Sequence, residues 1–213
     1  MGTLERRRRE RQETREKILQ AARELFAARG YEAVTMRAIA DAIEYTPTAI
    51  YHHFQNKQAL VTELCQGDYD ALARHFTTTA AARDPVERIR AVGEAYLEFA
   101  TRLPNHYRFL FMTELPPLEH DESYVAERRA NPEKDAYAFF RRACEEAIEK
   151  KKLRTELSDP DEVAQILWAA IHGLISLHIV KHAQEWVPLR DLKKTTRRSM
   201  DILFRGILRS PGK

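Results

Sequence analysis

Seven side chains between residues 35 and 57 carry the most legible chemistry in this sequence. Thr35, Arg37, Thr46, Thr48, Tyr51, His52 and Lys57 can all donate hydrogen bonds, and Arg37 and Lys57 bring fixed positive charge. Donors of this kind, set on one outward face, suit phosphate oxygens and base edges. Catalytic chemistry has no comparable signal. The chain holds no nucleophile elbow, phosphate-binding loop, dinucleotide fingerprint or histidine pair with a nearby carboxylate at metal-binding spacing, so neither an enzyme nor a resident cofactor is expected. His178 and His182 are four apart, and His120 stands beside Asp121 and Glu122, but neither set supplies four clear ligands. Metal binding is therefore not expected.

Two short helices must position the seven donors. Thr35 can N-cap the first, with Val34 and Ile39 as a hydrophobic staple. Thr46 repeats the device with Pro47 at the first helical position, where a missing N–H costs nothing, and with Tyr45 and Ile50 as the staple pair. Met36, Ile39, Ala40 and Ile43 make one apolar face, and Ile50 and Phe54 make the other. Helices this short hold only by burying those faces against each other and a third helix. The periodic Ile18, Leu19, Ala22, Leu25 and Phe26 supply that third helix, over residues 14 to 29, with Gly30 placed to end it. The pattern is a helix-turn-helix.

This stretch resembles the DNA-binding segment of TetR-type repressors: Ile39-Ala40, Thr46, Tyr51, His53-Phe54, Lys57 and Leu60 fall at that family's spacing. Glu44 stands where the family usually has a turn glycine, and Tyr45 where it usually has valine. A turn with φ > 0 would strain Glu44 by roughly 1 kcal/mol or more, which leaves the turn's conformation open. Further along, Trp168-Ala169-Ala170-Ile171-His172-Gly173 resembles a Trp…His-Gly signature of one TetR subgroup.

The rest of the chain reads as helices without a convincing strand. One runs from Lys57 to about Phe76, with Leu60, Val61, Leu64, Leu72 and Phe76 inward, long enough to leave the small domain and act as a lever in the larger one. Asp84-Pro85-Val86-Glu87 opens another, to about Arg102. An aromatic-rich helix follows to Met112. Pro116-Pro117 and the acidic run to Glu122 read as a loop, and Asn131-Pro132 as the cap of the next helix. Asp159-Pro160 opens a long apolar helix to about His182, and a last helix follows Pro188. The expected fold is all-α with about nine helices: a helix-turn-helix domain over residues 1-56, and an effector-binding and dimerisation domain over 57-213.

Net charge is +3, and all of it falls before residue 58, where eleven Lys and Arg face eight Asp and Glu, against 24 and 24 beyond. A modest, local excess suits a few phosphate contacts per subunit and two subunits for affinity. Arg6, Arg7, Arg8, Arg9 and Arg11 form either a solvated helix extension or a basic arm along phosphates or a minor groove. Cys65 and Cys144 are in no ligand or disulfide spacing, so a reduced cytoplasm is expected. The start of the chain is charged and no run approaches 18 uncharged apolar residues, so neither secretion nor a membrane span is expected.

Ala170, Gly173, Leu174 and Leu177 lie on one stripe of the long apolar helix, and Met200, Leu203 and Ile207 on the last helix. Either a monomeric bundle buries both stripes internally, or two copies of the pair make an isologous four-helix homodimer interface. Tyr96, Phe99, Tyr107, Phe111, Tyr137, Phe140 and Trp168 are either plain core or line a cavity whose polar groups are His172, Arg141 and Cys144. The resemblance favours the cavity, since the larger domain of that family binds a small-molecule effector. It implies a repressor that releases double-stranded DNA, a palindromic operator, on binding a small, largely apolar effector. A transcriptional activator would use the same contacts. A helical carrier or enzyme that happens to contain the motif is the competing class, and the outward Thr46, Thr48, Tyr51 and His52 argue against it.

Overall fold

The computed structural model describes residues 3–118, 122–181 and 187–209. Among them are ten helices: α1 (Thr3–Arg29), α2 (Met36–Ala42), α3 (Pro47–Tyr51), α4 (Lys57–Thr79), α5 (Pro85–Arg102), α6 (Pro104–Met112), α7 (Glu122–Ala130), α8 (Ala136–Glu149), α9 (Pro160–Lys181) and α10 (Leu192–Ile207). The only β feature among the described residues is an isolated antiparallel bridge between Leu153 and Leu208. The chain divides into two compact units, Met1–Asp68 with Leu103–Asp121, and Tyr69–Arg102 with Glu122–Lys213. This partition differs from the division at residue 56 in two ways. The boundary falls inside α4, and α6 joins the N-terminal helices because Phe109, fully buried, stacks on Phe26 of α1 with ring centroids 6.0 Å apart.

The first unit closes around Ile18, Ala22 and Phe26 of α1, Ile39 and Ala40 of α2, Ile50 of α3, and Leu60 and Val61 of α4, all with no exposed surface. Each large side chain of this set contributes about 1.5–3 kcal/mol by leaving water. That is what holds helices as short as α2 and α3. One polar network crosses this core. Arg23 meets Asp68 in a two-point pair, Nε to Oδ2 at 2.9 Å and Nη2 to Oδ1 at 2.7 Å, and His106 Nδ1 lies 3.0 Å from the same Oδ1. Asp68 is 2% exposed and Arg23 8%, so the network ties α1, α4 and α6 where neither charge has water as an alternative.

The second unit packs α5, α8, α9 and α10 around one another. Gly93 on α5 permits a close approach, since a Cβ there would come within 2.5 Å of Met200 Sδ and 3.1 Å of Ile171 Cδ1. Asp135, not Asn131, caps α8, accepting from the Ala138 amide at 2.7 Å, while Asn131 caps a separate turn through the Glu133 amide. The helix beyond the expected nine, α7, lies between the expected loop, which ends at Glu122, and the expected cap at Asn131, where no element is expected from the sequence. It buries no residue and therefore carries no apolar period. It is held by Arg128, which bonds Asp70 at 2.6 Å and the hydroxyl of Tyr124.

The expectation about membrane-length runs fails at α9. Val163 to Val180 is an 18-residue stretch without Asp, Glu, Lys or Arg, and α9 has the length and hydropathy, 1.7, of a spanning segment, yet only 28% of that window is buried.

Candidate functional site

The helix-turn-helix is fixed by local chemistry. Thr35 Oγ1 accepts from the Ala38 amide at 3.1 Å, and Thr46 Oγ1 accepts from the Ala49 amide at 3.3 Å. Pro47 holds the first position of α3, and Val34 and Ile39, the first staple pair, are both fully buried. Of the second expected pair only Ile50 is in the core, because Tyr45 is exposed. Glu44 takes the left-handed conformation at φ 60°. The chain thus keeps the turn that glycine would favour, and backbone bonds close it: Glu44 N to Asp41 O at 3.3 Å and Tyr45 N to Ala40 O at 2.9 Å.

On this frame Thr35, Arg37, Thr46, Thr48, Tyr51 and His52 are all exposed. A threonine oxygen that accepts the cap bond keeps its own proton to donate outward, so the capping role does not remove Thr35 and Thr46 from the row of donors. Arg37 has only a loose partner, Asp41 at 4.0 Å, both well exposed. Lys57 is differently placed. Its ammonium donates to the carbonyls of Tyr31 and Val34, both at 2.8 Å, and lies 3.9 Å from the centre of the Tyr31 ring. Two of its three N–H groups are thereby used inside the unit, clamping the loop before α2 to the start of α4.

Sequence reasoning missed Arg15. It donates to the His53 carbonyl at 2.7 Å, pairs with Glu63 through Nε at 2.7 Å, and lies 4.2 Å from the centre of the Phe54 ring. This locks the end of α3 to α1. Burial, then Arg11, Arg15 and His52, push the His53 imidazole below its ordinary pKa and keep it neutral.

The ten residues expected to line an effector site are not all in one unit. Tyr107 and Phe111, with ring centroids 5.3 Å apart, sit on α6 in the first. The other eight belong to the second. There Tyr96, Phe99, Phe140 and Cys144 are buried, while Tyr137, Arg141, Trp168 and His172 reach the surface to differing degrees. His172 is held from both sides, Nδ1 3.1 Å from the Tyr96 hydroxyl and Nε2 3.1 Å from Ser176 Oγ. Burial lowers its pKa, so the neutral ring is favoured. Asp161, which the sequence did not single out, is a hub: Tyr137 donates to it at 2.8 Å and Arg141 Nε at 2.9 Å, and these two bonds hold its carboxyl below the usual range. Trp168 lies against both groups, its centroid 6.4 Å from Tyr137 and 6.0 Å from His172. An open groove of about 840 Å³ lies elsewhere, beside α1 in the first unit, lined both by Glu13, Glu16, Lys17 and Glu24 and by Leu25 and Ile43.

No group of three His, Cys, Asp or Glu side chains among the described residues is placed to hold a metal; His120, Asp121 and His182 lie outside those residues. Cys65 and Cys144 are at most 1% exposed, and burial pushes both thiols up to about 12.

The candidate interface residues also divide. Met200 is buried against Gly93, so it packs inside the bundle and not on the outer stripe. Ala170, Gly173, Leu174, Leu203 and Ile207 are half-buried, and Leu177 is 54% exposed. Ile166 at 43%, Val180 at 53% and Ile202 at 63% extend the exposed apolar set.

Residues 18–64 match the family described as bacterial regulatory proteins, tetR family, and residues 89–203 match the tetracyclin repressor-like C-terminal domain. The chain is 37% identical over 83 residues to the HTH-type transcriptional regulator UidR of Escherichia coli K12, an alignment covering 39% of this chain and 39% of UidR. It is 27% identical over 192 residues to the regulator TtgR of Pseudomonas putida, covering 84% of this chain and 90% of TtgR. Its fold superposes on SmeT, the repressor of the Stenotrophomonas maltophilia efflux pump SmeDEF, with TM-score 0.66 and 24% identity over 93% of this chain and 94% of SmeT. The capped pair of short helices falls within the first matched segment, the second takes in α8 and α9 whole and most of α5 and α10, and the chain belongs to the tetR family of bacterial regulatory proteins.

Proposed function

We propose that the chain is a homodimeric repressor that holds a palindromic operator through α3 and releases it when a small, largely apolar effector binds. The observation that carries this reading is the row Thr46, Thr48, Tyr51 and His52, presented outward by a segment whose backbone two threonine caps and a left-handed Glu44 leave little freedom. Thr35, Thr46 and His52 contact phosphates, with Lys57 contributing its remaining N–H and holding the loop behind them. Arg37, Thr48 and Tyr51 lie nearest the bases. Two copies joined through the outer stripes of α9 and α10 address successive major grooves about 34–36 Å apart, or a multiple of that. A second copy, not lipid, covers the uncharged stripe of α9, and the dimer acts in the cytoplasm beside the DNA.

The effector site draws on the buried aromatics Tyr96, Phe99 and Phe140, with His172 as its polar anchor. Tyr137, Arg141 and Trp168 flank that anchor. Effector binding favours a state in which α4 tilts and the two copies of α3 no longer match the groove spacing. A ligand shifts that balance only by binding the tilted state more tightly, and a 100-fold loss of operator affinity needs about 2.7 kcal/mol of such preference.

Selection from a random-sequence duplex pool by gel retardation tests this reading. Enrichment of near-palindromic sites, with affinity falling by orders of magnitude between about 50 and 200 mM salt, is expected. A pool that shows no enrichment, or retention indifferent to salt, would leave the outward row without its partner.

A further inference from the structure

The arginines at the head of α1 have no part in the contacts above. We infer that Arg7, Arg8 and Arg11 form a second phosphate-binding element, a helical ridge that grips duplex backbone beside the groove entered by α3. The inference rests on the DNA-binding reading of α3 and extends it to a segment outside the helix-turn-helix.

Ile18, Ala22 and Phe26 are fully buried and mark the side of α1 that faces the first unit's core. At about 100° per residue, Arg15, Arg11 and Arg8 continue the same stripe toward the N-terminus, and Arg7 borders it. Arg15 confirms the direction, since its guanidinium meets the His53 carbonyl and the Phe54 ring just past α3. The charge of Arg11 also reaches His53. Residues 4 to 13 are all exposed, so α1 runs on for about 15 Å beyond the protein it packs against. Over that length arginine takes most of the packing stripe, which ends in the exposed Leu4.

The charges are also sorted around the helix. Arg6 and Arg9, on the far side, pair with Glu10 at 3.4 Å and Glu13 at 3.8 Å. Arg7, Arg8 and Arg11 have no carboxylate within pairing distance among the described residues. A segment that only needed to be solvated has no reason to neutralise one side and leave the other bare. A bare cationic stripe aligned with α3 fits a polyanion passing along the same face, and guanidinium forks match phosphate geometry.

The test compares three full-length proteins on the duplex selected by the wild type, from about 50 to 300 mM salt, with circular dichroism to check helix content. Replacing Arg7, Arg8 and Arg11 together by Gln should lower affinity at least about tenfold near 100 mM salt, and flatten the salt dependence by about 0.9 in log–log slope for each phosphate no longer neutralised. Replacing Arg6 and Arg9 by Gln should change affinity less than about threefold and leave the slope unchanged. The inference fails if the triple variant keeps the wild-type slope, or if the two variants lose slope in proportion to the charges removed, which would mean a diffuse field and no ridge. A wild type that selects no duplex sinks the α3 reading and the ridge with it, and that outcome is visible before either variant is made.

Discussion

Tyr51 and Leu177 are almost equally exposed, at 53% and 54%, but their neighbourhoods point to different partners. Tyr51 stands among Thr46, Thr48 and His52, on a helix of five residues held by the Thr46 cap and the buried Ile50, with Phe54 buried just past its end. Leu177 stands among Gly173, Ile166 and Val180, on a helix of 22 residues that is apolar for most of its length. Single exposed hydrophobes are ordinary, whereas a contiguous stripe rarely stays wet in a soluble protein. The first surface offers directed hydrogen bonds and suits a polar polymer read group by group. The second offers area and close approach, and suits a copy of itself. Degree of exposure does not distinguish the two; the company each residue keeps does.

The largest effect should come from spoiling the apolar side. Leu177→Glu with Ile202→Glu should yield a monomer by sedimentation and cut operator affinity at least about 100-fold, because the second reading segment no longer binds as part of the same molecule. A variant that stays dimeric would place the interface elsewhere. Next is Lys57→Ala, which removes an ammonium donating to two carbonyls and should cost about 2 kcal/mol of stability in denaturant titration. Loss of affinity at unchanged stability would instead make Lys57 chiefly a phosphate contact. Tyr51→Ala should reduce operator binding about tenfold, near 1.4 kcal/mol, with stability changed by less than about 0.5 kcal/mol. Equal losses in both would move Tyr51 from the reading surface to the core. The smallest effect belongs to the turn between the two helices. Glu44→Gly should raise stability by up to about 1 kcal/mol by relieving the left-handed strain, seen as a higher thermal midpoint with operator affinity unaltered.

The parts of the fold that announce themselves in the sequence are those where a side chain has one available job. Thr35 and Thr46 precede apolar runs and Pro47 sits where only a first turn accepts it, so α2 and α3 are legible. The apolar stripe of α9 is legible for the same reason. Helix α7 is not, since a segment that buries nothing shows no period, and its anchor on Asp70 lies 58 residues from Arg128. Met200 fits the outer stripe by spacing alone; only Gly93, more than a hundred residues earlier, reveals the space that draws it inward. Lys57 likewise looks free until the carbonyls of Tyr31 and Val34 are seen beneath it. Spacing along one helix tells which residues share a side, and what that side meets is written in another part of the chain.

The two native thiols have a practical consequence for watching this molecule at work. With Cys65 and Cys144 sealed from solvent and pushed up to about 12, both stay in the unreactive thiol form at neutral pH. A cysteine introduced at an exposed position such as Gln55 would therefore be the preferred target of a maleimide dye. Fluorescence from that single label could follow the reading head in real time without first stripping the protein of its own sulfur.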